Sequence, residues 1–260
     1  MLFRSYSFDK DQILSTLTSK DIDDAYNSIS KWEGYSPTPL VNLNKLSKEL
    51  NLKNIFYKDE GQRFDLKSFK ALGGAYAVNK VVKDKNAKTV ATATAGNHGR
   101  SVAWGAKRLG INCKIFISEF VSDSRATAMK NLGAEVIRVK GNYDASLKEC
   151  IKQSHANDWE IVQDVSWPGY KEVPKYIMAG YSIMIKEIID EIKNKFKLNK
   201  YIILFPFCSP HLTIKKWPHY NKFIDMVKNQ FKDEYQIIVA PGPLEISMTK
   251  DINAVSILNN

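Results

Sequence analysis

The sequence predicts an α/β protein with a parallel sheet, on two observations. From residue 54 onward short β-branched runs alternate with amphipathic stretches, which is how βαβ units look in sequence. Two of those stretches stop at glycines, Gly110 and Gly133, the residue type best able to take the left-handed conformation that closes a helix. The chain has 260 residues, 44% of them hydrophobic. A chain of that size buries about 70–75% of its unfolded surface, enough for one large or two modest domains.

The elements follow in order. NIFYKDE (54–60) and KTVATAT (88–94) read as strands, and the stretch Ser68–Val82 between them as a helix. A helix over Asn97–Leu109 leads to a strand at CKIFIS (113–118), a helix over Asp123–Leu132 to a strand at AEVIRVK (134–140), and a helix over Tyr143–Asn157 comes next. A long helical pattern over Pro174–Phe196 carries Ile183, Ile185, Ile188, Ile189 and Ile192 on an apolar side. KNKFKLNK (193–200) reads as a charged helix end and connector, which sets a boundary between a domain of residues 1–198 and a fragment of residues 199–260. In that fragment YIILFP (201–206), a helix over Pro218–Phe231 and QIIVAP (236–241) make a short Rossmann-like βαβ unit, with AVSIL (254–258) as a further strand candidate.

Composition narrows the function classes. A formal charge of +10 and a pI near 9.3 raise nucleic acid or an anionic membrane as partners. Residues 199–260 carry 7 Lys against 5 Asp and Glu, so the excess is spread along the chain without a like-charge block, and it reads as a solvated surface with neither partner. Cys113, Cys150 and Cys208 are odd in number, far apart and outside any CxxC pair, which points to a reducing cytoplasm; no metal site is read. MLFRSYSFDKDQ lacks the apolar run of a signal peptide, and no run of about 18 apolar residues occurs.

Two stretches carry chemistry. In SFKALGG (68–74) Lys70 is flanked by Phe69, Ala71 and Leu72, with room beside it at Gly73 and Gly74. Desolvation there is expected to lower the lysine pKa and free the amine to attack a carbonyl. In TATAGNHG (92–99) Gly96 and Gly99 permit close backbone approach, Thr92 and Thr94 offer hydroxyls, and Asn97 is placed to cap the helix that begins there. The positive end of that helix suits a carboxylate or phosphate, and an ordinary capped strand-turn-helix accounts for the same residues. His98 has no Ser or Cys with nucleophile context beside it. Asp164, after a short strand-like run, reads equally as a turn residue or a helix cap.

YSPTPLVNLNKLSKEL (35–50), YKDEGQRFDLKSFKALGG (57–74), TATAGNHGRSVAWGAKRLG (92–110), NLGAEVIRV (131–139), NYDASLKE (142–149) and QDVSWPGYKEVPKYIMAGY (163–181) resemble the diaminopropionate ammonia-lyase family. These are pyridoxal-phosphate (PLP) enzymes of fold type II, the tryptophan synthase β-like group. The resemblance runs in order over about residues 30–195 and implies a three-layer N-terminal portion that is truncated relative to the family. It implies that Lys70 is the catalytic, Schiff-base lysine and that Asn97 contacts the cofactor's 3-hydroxyl. Thr94, Ala95, Gly96, Asn97 and His98 would cradle the substrate carboxylate, and Asp164 would take a substrate α-proton. The implied reaction is α,β-elimination of ammonia from 2,3-diaminopropionate to pyruvate and ammonia, with a small amino acid as substrate and a homodimer as the assembly. A threonine or serine dehydratase-like PLP enzyme is the alternative within the class.

The chain departs from the family pattern in two places. Ala95 stands where the ammonia-lyase motif usually has an aspartate thought to serve one substrate enantiomer, and an alanine accepts no proton. The Gly-rich loop that holds the PLP phosphate has no counterpart, since only Gly242 follows Gly180. Losing three charge-assisted phosphate contacts forfeits about 6 kcal/mol, roughly four decades of affinity, so weak or no activity is expected of the chain alone. In its place YIILFPFCSPHLTIKKWPHYNKFIDMVK (201–228) and QIIVAPGPLE (236–245) resemble the donor-binding half of heptosyltransferase-type glycosyltransferases. That second resemblance implies a nucleotide-sugar contact at Lys215, and it leaves open a nucleotide-sugar-binding module or a non-catalytic remnant.

Overall fold

The structure, a computed structural model, describes residues 16–49, 54–196, 200–204, 219–231, 235–239, 252 and 255–256. The chain forms two compact units, one from the chain up to Thr38 with Glu60–Glu187, the other from Pro39–Asp59 with Ile188–Asn260.

The first unit is a parallel sheet between helices. Its strands are β3 (Thr89–Ala93), β4 (Asn112–Ser118), β5 (Glu135–Val139) and β6 (Glu160–Ile161), in the order β5-β4-β3-β6. Side-chain alternation splits each strand between two cores. Val90, Ile115 and Ile117 face Val102, Ala103 and Ala106 of α4 (Asn97–Leu109) and Ala126 and Met129 of α5 (Asp123–Lys130). Ala91, Ala93 and Phe116 face Cys150 and Leu147 of α6 (Tyr143–Asn157). Helices on both faces of a parallel sheet give the three-layer arrangement expected.

Helix ends lie where local chemistry puts them. Gly110 caps α4 at φ +65°, and the Asn142 side chain accepts from the Ala145 amide at the start of α6. Gly133 also takes a positive φ, +88°, but it lies beyond the α5 cap, which is Asn131.

Helix α3 (Lys70–Lys85) is buried along most of its length and crosses both α4 and α7 (Glu172–Phe196) at glycines. A Cβ on Gly180 would lie 2.5 Å from the Leu72 carbonyl oxygen and 2.7 Å from Gly73 Cα. A Cβ on Gly105 would lie 2.8 Å from Ala75 Cα, so at both crossings backbone meets backbone with no room for a side chain.

A buried polar node closes this unit. The Arg63 guanidinium bonds Glu187 in bidentate fashion at 2.9 and 2.7 Å and Glu60 at 2.9 and 2.8 Å, and it reaches Thr38 Oγ1 at 3.1 Å. Tyr35 Oη donates to Glu187 at 3.0 Å, and Thr38 donates its hydroxyl to Glu60 and its amide to Glu187. Thr38, Glu60 and Glu187 are the residues at which the chain leaves or re-enters the unit, so one cation ties all three crossings together.

In the second unit β1 (Leu40–Asn42) pairs antiparallel with β2 (Phe56–Lys58), and Lys58 meets Glu191 of α7 at 3.0 Å. A parallel sheet of β7 (Tyr201–Leu204), β8 (Gln236–Val239) and β9 (Val255–Ser256) packs Leu204 and Ile237 on Ile224 and Val227 of α8 (Tyr220–Phe231). The division between the two units lies at Glu187–Ile188, within the residue range of α7. Lys215, Cys208 and Gly242 lie outside the described residues. Among the described residues no helix is long and apolar enough to cross a membrane.

Removing Arg63 would strand the buried carboxylate of Glu187 and the partly buried one of Glu60. Arg63→Ala is expected to cost about 3–5 kcal/mol in urea unfolding, the range for breaking a buried ion pair from one side. A loss below about 1 kcal/mol would show that the node contributes no more than a surface pair.

Candidate active site

The first residue of α3 is Lys70, and two contacts fix its backbone. Its amide donates to Ser68 Oγ at 3.2 Å. Its carbonyl accepts from Ser101 Oγ of α4 at 2.6 Å, and that same hydroxyl accepts from the Ala75 amide. The turn leading in is strained, since Phe64, Asp65 and Lys67 all take positive φ at about 1–3 kcal/mol each. Packing offsets part of that cost, because the Phe64 ring lies 4.7 Å from Trp104 and 5.9 Å from Trp32.

At the C-terminal edge of the sheet β3 and β6 run side by side, and the segment after β6 delivers Asp164. Gln163 anchors it: its amide oxygen accepts from Thr92 Oγ1 and the Ala93 amide, and its amide nitrogen donates to Ala93 O and Tyr143 Oη. Asp164 Oδ2 then lies 2.8 Å from Lys70 Nζ and 3.7 Å from His98 Nδ1. The aspartate that the sequence left open as a turn or cap residue is thus the counter-ion of the lysine, across 94 positions of sequence.

The electrostatics reverse one expectation. Burial does act to lower the Lys70 pKa, but the hydrogen bond and charge of Asp164, with Tyr181 close by, outweigh it and hold the amine above its ordinary value. Lys70 therefore rests as an ammonium rather than as a free amine. Burial likewise acts to raise the Asp164 pKa, and the neighbouring His98 and the hydrogen bond and charge of Lys70 outweigh it and hold it below the ordinary range. His98 is itself pushed down by burial, so at neutral pH it is uncharged and Lys70 is the cation that matters. The His98 Nε2 atom lies 2.9 Å from Val162 O, which assigns the proton to Nε2 and leaves Nδ1 as a bare acceptor, buried and without a partner.

The turn before α4 holds the other expected residues. Thr94 is buried and its hydroxyl accepts from the Gly96 amide at 3.3 Å, while Ala95 and Asn97 are exposed. The helix cap is Gly96 and makes no side-chain bond, so Asn97 does not cap as expected: it is the first helical residue, one position too late for its side chain to reach back. Its amide is left available to a ligand. Ala95, Gly96 and Asn97 line a cavity of about 450 Å³ with Arg100, Ser124, Arg125 and Ala128.

These residues suit the amine-reactive end of PLP. Lys70 is partly exposed, with 28% of its side chain accessible, a carboxylate stands beside it to exchange a proton, and the Tyr181 ring lies 5.2 Å from Lys70 Nζ with its hydroxyl on the lysine side of the site. The sequence reading missed Tyr181, Gln163 and Arg100. All three lie in stretches that carry the family resemblance, Gln163 and Tyr181 as the first and last residues of QDVSWPGYKEVPKYIMAGY and Arg100 within TATAGNHGRSVAWGAKRLG.

The ion pair has a signed pH dependence. Lys70, with a raised native pKa, stabilises the fold fully below its unfolded value of 10.5 and loses that contribution as pH rises through the native value. Asp164, with a depressed native pKa, contributes fully above its unfolded value of 3.8 and loses it as pH falls through the native value. Asp164→Asn is expected to cost roughly 1–2 kcal/mol between those limits, with the gap from the unsubstituted chain closing at both extremes in urea unfolding. A gap that stays constant with pH would mean that Asp164 acts through packing alone.

A family model described as "Pyridoxal-phosphate dependent enzyme" matches residues 31–204. Diaminopropionate ammonia-lyase of Escherichia coli (strain K12) is 39% identical over 181 residues, which cover 63% of this chain and 46% of that protein. The catabolic L-threonine dehydratase TdcB of Staphylococcus aureus (strain USA300) is 31% identical over 174 residues, covering 67% of this chain and 47% of that one. The crystal structure of the E. coli ammonia-lyase in complex with D-serine superposes with a TM-score of 0.67 at 29% identity, over 86% of this chain and 60% of that chain. The chain spans about half the length of the curated relatives it matches. On a family match that takes in the sheet, Lys70, the Thr94–His98 turn and Asp164, the chain belongs to the pyridoxal-phosphate dependent enzymes of fold type II.

Proposed function

We propose that this chain carries out PLP-dependent α,β-elimination of ammonia from 2,3-diaminopropionate, yielding pyruvate and ammonia. The observation that carries the proposal is the Lys70 Nζ to Asp164 Oδ2 contact of 2.8 Å at the C-terminal edge of a parallel sheet, where α/β folds bind ligands. When bound, the cofactor supplies a conjugated ring that draws charge from the carbon losing its proton.

The chain's own residues supply the rest. Lys70 Nζ would hold the cofactor in its unprotonated form, its proton leaving by way of Asp164 Oδ2 to solvent, which restores the carboxylate. Asp164, a carboxylate at rest, accepts the substrate α-proton, and Gln163 fixes its backbone against β3. His98, neutral and tied to Val162 O, keeps a second cation away from that carboxylate. The Thr94–His98 turn, at the positive end of α4, receives the substrate carboxylate, and Asn97 offers its free amide to the cofactor. We extend the proposal to a cytoplasmic homodimer; the buried free thiols of Cys113 and Cys150 support the reducing compartment.

Ala95 favours a narrower substrate range. With no acid on that side of the turn, Asp164 is the proton acceptor for one enantiomer only. Pyruvate release is therefore expected from one enantiomer of 2,3-diaminopropionate in preference to the other, to serine and to threonine. Asp164→Asn should lower kcat roughly 10²–10⁴-fold with little change in KM. Turnover of threonine or serine ahead of diaminopropionate would establish the dehydratase reading instead, and no turnover of any of them by chain loaded with PLP would overturn both.

A further inference from the structure

Lys70 Nζ has two aromatic neighbours that the proposed reaction does not use. The Phe69 ring is centred 5.4 Å and the Tyr181 ring 5.2 Å from the nitrogen, while Asp164 Oδ2 lies 2.8 Å from it. Both rings are within the roughly 6 Å at which an aromatic face attracts a cation. They also meet each other edge to face, with centres 5.1 Å and planes 67° apart, so each braces the other beside the amine.

The backbone makes room for this arrangement. Gly73 lies about one helical turn after Lys70, on the same side of α3. A Cβ there would lie 2.8 Å from the Ile177 carbonyl oxygen and would collide with the Tyr181 ring, so Tyr181 is seated in a notch that only glycine leaves open. Phe69 stands at the other side, its carbonyl accepting from the Leu72 amide at 3.0 Å and its side chain outside the core. A lysine carries its charge on a long, flexible stem, and two rings with a carboxylate restrict where that charge can rest.

We propose that Phe69 and Tyr181 are positioning residues for Lys70, an aromatic clamp that holds its ammonium against Asp164 and leaves one side of the nitrogen open to solvent. The role rests on the reading of Lys70 as the amine that meets a carbonyl cofactor. An aromatic face attracts the cation and not the free amine, so the rings act with Asp164 and against burial. The Tyr181 hydroxyl acts in the same direction, and burial pushes its own pKa up. The other titratable groups facing the amine are Asp164, after β6, and His98, on α4. One is a carboxylate and the other uncharged above neutral pH, so neither changes charge in the range where Lys70 titrates.

The test is competitive acetylation of the purified chain, without cofactor, by trace acetic anhydride over a series of pH values, read at Lys70 by peptide mass spectrometry against the surface lysines. Phe69→Leu and Tyr181→Leu keep an apolar side chain and remove the aromatic face. Each is expected to lower the Lys70 midpoint by about half a pH unit, which makes acetylation below the midpoint roughly threefold faster. Tyr181→Phe keeps the ring and should lower the midpoint less than Tyr181→Leu does. Easier access of the reagent raises the rate at every pH without moving the midpoint, which separates a clamp from simple shielding. A midpoint unmoved by both leucine variants, or moved as far by Tyr181→Phe as by Tyr181→Leu, would overturn the clamp. Phe69 is 37% exposed, so its variant decides the matter even if Tyr181→Leu fails to fold: an unmoved midpoint in Phe69→Leu then overturns the clamp. Because acetylation needs no cofactor, shifted midpoints in a chain whose Lys70 takes no pyridoxyl group would leave the clamp standing and remove the cofactor reading. Fixed midpoints in a chain that does take the group at Lys70 would do the reverse.

Discussion

The buried guanidinium of Arg63 is the constraint on which much of the first unit depends. It satisfies two carboxylates and a hydroxyl contributed by segments from before the sheet, from the turn ahead of α3 and from the middle of α7. Such a cation is costly to desolvate, and the bidentate geometry with Glu187 and the second carboxylate of Glu60 are what make its burial tolerable. Once it is in place, the residues immediately after it have little freedom. The chain passes through left-handed conformations at Phe64, Asp65 and Lys67 and enters α3 at Lys70.

From there the placement of the lysine is a matter of close packing. Backbone contact between α3 and α7 at Gly73 and Gly180, and between α3 and α4 at Ala75 and Gly105, leaves α3 no room to slide. Ser101 adds a hydrogen-bonded link at the first turn. The carboxylate arrives independently, on the segment after β6, held by Gln163 against β3. Lys70 and Asp164 thus meet because two rigid elements converge, and their ion pair follows from that convergence rather than causing it.

Much of the fold was legible in the sequence, and the reason is locality. Helix α4 begins and ends where the sequence placed it, as does α6, because a glycine or an Asn cap within the segment decides the matter. Lys70 stood out through its apolar neighbours and adjoining glycines, and the family resemblance gave it a role. What the sequence did not disclose depends on distant partners. Nothing near Arg63 in EGQRFD marks it as buried, because the burial is made by Glu187, 124 positions away. The same limit explains the sign of the Lys70 pKa shift: apolar neighbours in sequence argue for a lowered value, while Asp164 raises it from 94 positions away. Asn97 missed its capping position by one residue, a difference decided by the extended backbone of Gly96, at φ 179°.

The central claim is that Lys70 is the amine this chain offers to a carbonyl cofactor. The direct measurement is to incubate the purified chain with pyridoxal phosphate, reduce with borohydride and map the pyridoxyl group by peptide mass spectrometry. The account predicts the group on Lys70, in preference to the many solvated surface lysines. Labelling scattered over surface lysines, with Lys70 unmodified, would contradict it.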